Sequence, residues 1–473
     1  MNRFVEVVPL ALTPLTPIHI GCGEDFEPTN YVIDDGILYH FEPARMSLAS
    51  EDRRLLVECA NRRGDDAIRA IQRFFYERRH ECRRVSRLEV SAAAGVVGWY
   101  ERRVGRVVER EPGRGTVSSE LRIERTAHHP YTGRPYLPGS SLKGSARTGW
   151  LNDVDRVPPI QRDPTRPPGR DESSSQIESQ ILGGSFSTDP FRLVEFADAA
   201  GADLKSRVVF AVDRRKQPRR DGKEKDLAVN REVIVGGQFR SSQGEIRFKS
   251  RPAAASPQHV PGADKCIRDF ALLARACNQF YRTRLEADLE VLDVLGEGRW
   301  VGNFRALIAA LSLQLNEGRA ILLRVGRHSG AESVTLDRHR WIRIIGGNRG
   351  TDRWAREATT IWLATESEDR TTNLRPFGWV LLERADNLLV NDNLSRWCEE
   401  EVNASSGAAV QPSRPSQAGG QPERAVQGPL RRGDKVVYRD EPATIRDIAG
   451  TEARIDFQGG DIEWVPLSEL KRL

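Results

Sequence analysis

Nowhere in this 473-residue chain do about 18 apolar side chains run together, as a membrane-crossing helix requires. The start, MNRFVEVVPLALTPLTPIHIG, lacks the long apolar core of a secretory signal, so the expected localisation is cytoplasmic, without membrane attachment. The six cysteines (Cys22, Cys59, Cys82, Cys266, Cys277, Cys398) are scattered, with no C-x-x-C pair and no Cys/His cluster at zinc spacing. They read as reduced, packed thiols. The G-x-S-x-G elbow of a serine hydrolase is missing. The one histidine pair, His128-His129, has no acidic companion at ligand spacing, so neither a metal nor a cofactor is expected.

What is present is charge. The net charge of +5 is the small difference between 72 Lys+Arg and 67 Asp+Glu, and arginine far outnumbers lysine. That excess suits phosphate or carboxylate partners, although charge runs are most often solvated surface. With 38% hydrophobic residues, a chain of this length can fill two or three cores.

Short apolar, β-branched runs predict strands at 3–20, at 30–41 around an Asp-Asp-Gly turn, and at 192–199, 206–212, 231–240 and 244–249. Others fall at 320–326, 341–345, 359–364 and 378–385. Helical spacing marks 43–84, where Ile68, Ile71, Phe74 and Phe75 share a face, and also 263–292 and 304–316. The mixture predicts an α+β or α/β sheet packed by helices. Segments 156–176 and 213–226 are polar and rich in Pro, Gly and charge and are expected to form long loops, and 404–429 has linker composition. Beyond it, 430–473 shows about five short strands with Gly or Pro turns, as a small SH3-like barrel would.

Three glycine-rich basic turns carry the candidate chemistry. In PYLPGSSLKGSARTGW (135–150), Lys143 precedes Gly144, whereas a P-loop places the lysine after its second glycine, so an ATPase is excluded. The better reading is a helix capped by Ser140, whose free N–H groups favour anions. Ser140, Lys143 and Arg147 would share one face, Leu142, Ala146 and Trp150 would pack on another, and Gly144 would admit a close backbone. An ordinary capped helix with solvated Lys and Arg fits the same residues. The second turn, PIHIGCGEDF (17–26), ends a strand in His19, Gly21 and Gly23; a lone histidine of this kind is more often packed than catalytic. The third, LLRVGRHSGAESVTL (322–336), offers Arg324, Arg327, His328 and Ser329 between Gly326 and Gly330, as a phosphate-tracking loop would. General acid–base cleavage of RNA by His19 or His328 is chemically conceivable, but nothing in the sequence requires it.

These turns, taken with DPFRLVEFADA (189–199), EVIVGGQF (232–239) and LRPFGWVLLE (374–383), follow one another in the order found in a known family. The chain resembles the RAMP superfamily of CRISPR systems, in particular the single-copy subunit that caps type III-A Csm effector complexes. The resemblance implies ferredoxin-like, RRM-like domains with helical insertions, here expected at 1–200 and 201–403. It implies a structural, non-catalytic subunit of an antiviral ribonucleoprotein that holds CRISPR RNA near its 3′ end and supports guide maturation. The implied partners are a neighbouring RAMP backbone subunit, a small helical subunit and host ribonucleases. In that family the glycine-rich loops lie against the RNA backbone, so the resemblance implies RNA contacts at His19, Gly21, Gly23, Ser140, Ser141, Lys143, Gly144, Arg147, Arg324, Gly326, Arg327, His328, Ser329 and Gly330. In the family's backbone subunit, target cleavage uses an aspartate in a loop soon after the first strand. The nearest acids here are Glu24 and Asp25, in the glycine turn, and Asp34 and Asp35, in the hairpin turn, so no cleavage is expected. The alternative within the family is a metal-independent endoribonuclease that processes precursor CRISPR RNA. The linker and barrel extend past the family's usual end.

Overall fold

A computed structural model describes residues 4–105, 121–159, 165–166, 173–184, 186–218, 228–252, 259–345, 352–367, 369, 371–406, 430, 432–438, 441–457 and 462–472. Most of the expected loops at 156–176 and 213–226, and of the linker at 404–429, lies outside these residues. The chain divides into two compact units, Met1–Ala409 and Val410–Leu473.

β1 (Val5–Pro14) and β2 (Gly21–Phe26) precede the hairpin of β3 (Tyr31–Asp34) and β4 (Ile37–Phe41). The hairpin turns at Asp35 and Gly36 with φ of 48° and 77°, the left-handed geometry that Asp-Gly supplies between antiparallel strands. Helices α1 (Ser50–Ala60), α2 (Asp65–Glu77) and α3 (Arg79–Arg84) follow. They bury Phe74, Phe75 and Cys82 against Val32, Tyr39 and Phe41 of the hairpin, a small core of their own. Next come β5 (Ser86–Ala92), α4 (Ala94–Arg103), β6 (Ile123–Thr126), α5 (Gly139–Val154) and α6 (Ser174–Leu182). Strands β7 (Val194–Phe196), β8 (Ser206–Arg215), β9 (Ala228–Ile234) and β10 (Ser242–Lys249) lead to α7 (Phe270–Val294), α8 (Gly298–Ala310) and α9 (Ser312–Asn316).

The helix expected from residue 263 begins only at Phe270, because the Asp269 carboxylate caps it, accepting from the Leu272 N–H at 2.8 Å. The unit closes with β11 (Ala320–Arg324), the short pair β12 (Ile342–Ile344) and β13 (Arg353–Ala355), then β14 (Thr360–Thr365), β15 (Arg375–Pro376), β16 (Trp379–Arg384) and α10 (Asp392–Ser406). The last turn of α10 thus occupies 404–406, where the linker was expected to begin.

One sheet is antiparallel throughout, in the order β11-β16-β1-β10-β7, with α5 and α7 packed on it. The other runs β2-β6-β9-β8-β5-β4-β3, with β14 also on β8. Each sheet draws strands from both sides of residue 200, so the expected boundary there cuts through both. In the C-terminal unit, β17 (Lys435–Tyr438), β18 (Glu441–Ala449), β19 (Glu452–Phe457), β20 (Ile462–Pro466) and β21 (Lys471–Arg472) form an antiparallel sheet in the order β20-β19-β18-β17-β21. It closes on Val436, Ile445, Ala453, Ile455 and Val465.

One of the buried ion pairs of the main unit joins β11 to α7. Arg324, at the end of β11, is 3% exposed; its Nη1 lies 2.9 Å from Asp288 Oδ2 of α7, and its Nε donates to the Phe377 carbonyl at 2.9 Å. Trp379 is fully buried and donates its indole N–H to the same carboxylate at 3.1 Å. Asp288→Ala would strand the guanidinium without a counter-charge and should lower stability in urea by about 3–5 kcal/mol. Pairing it with Arg324→Met should restore most of that loss.

Candidate nucleic-acid interface

The two sheets meet where three passages of chain hydrogen-bond to one another. The Arg327 N–H donates to the His19 carbonyl at 2.8 Å, Gly378 N–H to Pro17 at 2.9 Å, and Val325 N–H to Gly378 at 2.8 Å. Close approach demands glycine at two of these points. A Cβ at Gly326 (φ 84°) would stand 2.3 Å from the His19 carbonyl oxygen, and one at Gly378 (φ 94°) 2.3 Å from that of Val325. The second and third glycine turns, far apart in sequence, are therefore a single site. The His19 and His328 rings lie 6.2 Å apart, and Gly21, Gly23, Arg327 and Gly330 are exposed around them.

The third turn differs from the expectation in its donors. Arg324 points inward to Asp288, and Ser329, 4% exposed, donates its hydroxyl to the Gly326 carbonyl at 2.8 Å. Arg327 remains outside, its side chain 56% exposed and 2.7 Å from Glu124. His328 adopts φ of 69° and stacks on Trp362 with centroids 4.5 Å apart.

The opening basic turn forms a helix start, but not the expected one. Pro138 occupies the N-cap position and Ser140 lies inside the first turn; the Gly139 N–H is satisfied by Asp198 Oδ1 at 2.7 Å. The glycine that admits a close backbone is Gly139, where a Cβ would lie 2.2 Å from the Phe196 carbonyl oxygen. Gly144 faces open space instead. Arg147 is held by Glu178 at 2.8 Å and Asp189 at 2.9 Å. Lys143 has no carboxylate within ion-pair distance among the described residues, and partial burial lowers its pKa. Leu142, Ala146 and Trp150 are buried as the pattern predicts. One turn past Ser141, the Ser145 hydroxyl donates to the Arg324 carbonyl at 2.8 Å, which ties α5 to the end of β11.

Sequence reasoning missed the charged lattice beneath the turns. β6 and β9 run parallel with Glu124 opposite Arg231, and their side chains pair at 3.2 Å. The next residues, Arg125 and Glu232, face the opposite side of the sheet and pair at 3.4 Å. Glu124 also lies 3.6 Å from His19 Nε2. The available signal was an adjacent Arg/Glu pair inside each apolar run, in IERT and in REVI.

Burial, with help from the Arg231 and Arg327 charges, drives the His19 pKa down to about 4, against the opposing pull of the Glu232 carbonyl and Glu124. Burial and Arg231 likewise bring His328 to about 3. Both imidazoles are neutral at pH 7. His19 has no exposed surface, and its Nδ1–H donates to the Glu232 carbonyl at 2.8 Å. Among the described residues, no group of three or more His, Cys, Asp or Glu could hold a metal ion, and no helix is long and apolar enough to cross a membrane.

Mixed α and β elements in two sheets, joined at glycine turns beside which Arg327 is exposed, define the class of fold. The chain belongs to the RAMP superfamily, whose family model it matches over residues 11–260, more than half its length. It is 21% identical over 392 residues to the CRISPR system Cms protein Csm5 of Methanocaldococcus jannaschii, a match covering 77% of this chain and 86% of that protein. Among solved structures it is similar to T. onnurineus Csm5, with a TM-score of 0.45 and 15% identity over 78% of this chain and 99% of that one. It is also similar to a chain of a Csm–crRNA–target RNA ternary complex of a type III-A system, with a TM-score of 0.39 and 17% identity over 80% of this chain and 100% of that one.

The site yields two expectations. A histidine whose pKa is depressed in the fold binds fewer protons than in the unfolded chain, so stability falls as pH drops below 6.5 and continues to fall to about 4 for His19. His19 alone should contribute about 2 kcal/mol of that loss at pH 5, and His19→Asn should flatten the acid limb of a urea-stability profile. Gly326→Ala, forced into positive φ against the His19 carbonyl, should lower the stability of the seam by about 1–3 kcal/mol or more, measured by the same denaturation.

Proposed function

We propose that this chain is a structural, CRISPR RNA-binding subunit of a type III-A effector ribonucleoprotein. It would cap the row of RAMP backbone subunits near the 3′ end of the guide and support guide maturation and antiviral defence in the cytoplasm. The observation that carries this reading is membership of the RAMP superfamily together with a Csm5 relative aligned over 77% of the chain. The CRISPR RNA and a neighbouring backbone subunit are its primary partners; a small helical subunit and host ribonucleases are further ones.

Exposure supports a narrower set of holding residues. Ser140, Ser141, Lys143 and Gly144 at the start of α5, and Gly21, Gly23, Arg327 and Gly330 at the seam, lie at least partly exposed and can meet phosphate or sugar. His19 and Ser329 serve the fold beneath them, Arg324 pairs with Asp288 there through one of its nitrogens, and Arg147 is held by two carboxylates. The strand order β7-β10-β1-β16 supports a ferredoxin-like reading, with α5 crossing between β1 and β7 and α7 following β10. Here β16 takes the place next to β1, and β11 is added outside it. The five strands of the C-terminal unit support the SH3-like reading in the same way.

A non-catalytic role fits the state of the two histidines. A general base must reach its substrate and titrate near the working pH, whereas His19 is enclosed and both imidazoles are held far below neutrality. Precursor RNA incubated with the full chain in chelator should therefore give no discrete product.

Lys143→Glu and Arg327→Glu should each weaken guide RNA binding, and each should reduce the slope of log affinity against log salt by about 1. Arg147→Glu should act mainly on stability, because it faces Glu178 and Asp189. Filter binding at several salt concentrations checks this; unchanged affinity in both Lys143→Glu and Arg327→Glu would refute the assignment.

A further inference from the structure

Beside the 326–330 turn, a cavity of about 840 Å³ opens between α7 and β14, within the size range of ligand sites. Its wall includes Arg284 and Asp288, one helical turn apart on α7, Arg324 of β11, Arg215 of β8 and Trp362 of β14. The carboxylates inside are already satisfied. Asp288 accepts from Arg324 and Trp379, while Glu332 lies 2.7 Å from Lys216 and accepts from the Ala358 N–H at 2.8 Å. Two of the guanidinium nitrogens are not. Arg324 Nη2 and Arg284 Nε are buried without a hydrogen bond, although Arg284 also lies 3.6 Å from Asp337. Buried guanidinium donors call for an acceptor. Arg215 adds an exposed cation at the mouth, alongside the exposed acids Glu290 and Glu357. Trp362 is half-buried and stacks on His328 of the adjoining turn, so the cavity pairs an aromatic wall with unmet anion donors.

We infer that this cavity receives one nucleotide turned out of a bound RNA strand, its phosphate on Arg284, Arg324 and Arg215 and its base against Trp362. Single-stranded RNA is read in this way, by cations along the backbone and aromatic side chains under the bases. Gly330 belongs both to the cavity wall and to the turn assigned to the RNA backbone, so a strand following that turn passes the opening. The inference rests on the RNA-binding reading and adds to it a place where a single base leaves the stack.

The test uses the full chain and guide RNAs carrying one 4-thiouridine at each position in turn, cross-linked and mapped by mass spectrometry, with total affinity measured by filter binding. Cross-links from one position, or two adjacent ones, should map to peptides containing Trp362 or Arg284. Arg284→Glu and the surface variant Arg215→Glu should each reduce them about fivefold or more while total affinity changes less than about threefold, since most phosphate contacts lie elsewhere. Wild-type protein that binds guide RNA but cross-links only outside these peptides overturns the pocket and leaves the RNA reading standing. Protein that binds no guide RNA overturns both. Free uridine monophosphate that protects Trp362 peptides without any strand cross-link there overturns the strand-borne nucleotide.

Discussion

The backbone hydrogen bonds joining residues 15–20, 325–327 and 378–379 are the constraint on which the rest depends. After β1 the chain leaves one sheet and enters the other at this point, with Ile18 bridged to Ile234; β11 ends here, and β16 begins here. Three carbonyl-to-amide contacts across such short distances leave no room for a Cβ at Gly326 or Gly378. Both sheets therefore inherit their relative placement from a few atoms of main chain. The buried Arg324–Asp288–Trp379 group locks the same point from below, linking β11, α7 and β16.

This arrangement explains why the candidate surface is made of turns and not of a cleft with reactive side chains. Residues needed to hold the seam face inward: His19 bonds to the Glu232 carbonyl, Ser329 closes its own turn, and Arg324 pairs with Asp288 through Nη1 while its Nη2 stays unbonded. What remains outside at the seam is glycine backbone with Arg327 at the rim, while Lys143 stands on α5. The two imidazoles beside these turns are held neutral at pH 7 by burial and the Arg231 charge.

The charged lattice of β6 and β9 shows how far the interior departs from an apolar filling. Register places Glu124 beside Arg231 and, on the other face, Arg125 beside Glu232, so each charge meets its opposite. Burial raises the Glu232 pKa and lowers that of Arg231, because taking either charge out of water disfavours its charged form. Ser206 and the Thr126 N–H complete the bonding of Glu232.

Much of the secondary structure was legible in the sequence because its signals are local. The Asp-Asp-Gly turn, the apolar runs of β7 to β11, β14 and β16, and the buried Leu142, Ala146 and Trp150 follow from conformational preference and periodicity. The family, too, could be read from its ordered motifs. Spacing alone could not say which member of a glycine turn faces outward. Ser140 looked like a cap and Gly144 like the point of close approach, yet Asp198 and Phe196, more than fifty residues downstream, assign those tasks to Gly139. The same holds for Arg324 and Arg147, whose partners lie on other elements. Residue type sets what a side chain can donate; only tertiary structure sets what it meets, because the acceptors arrive from distant parts of the chain.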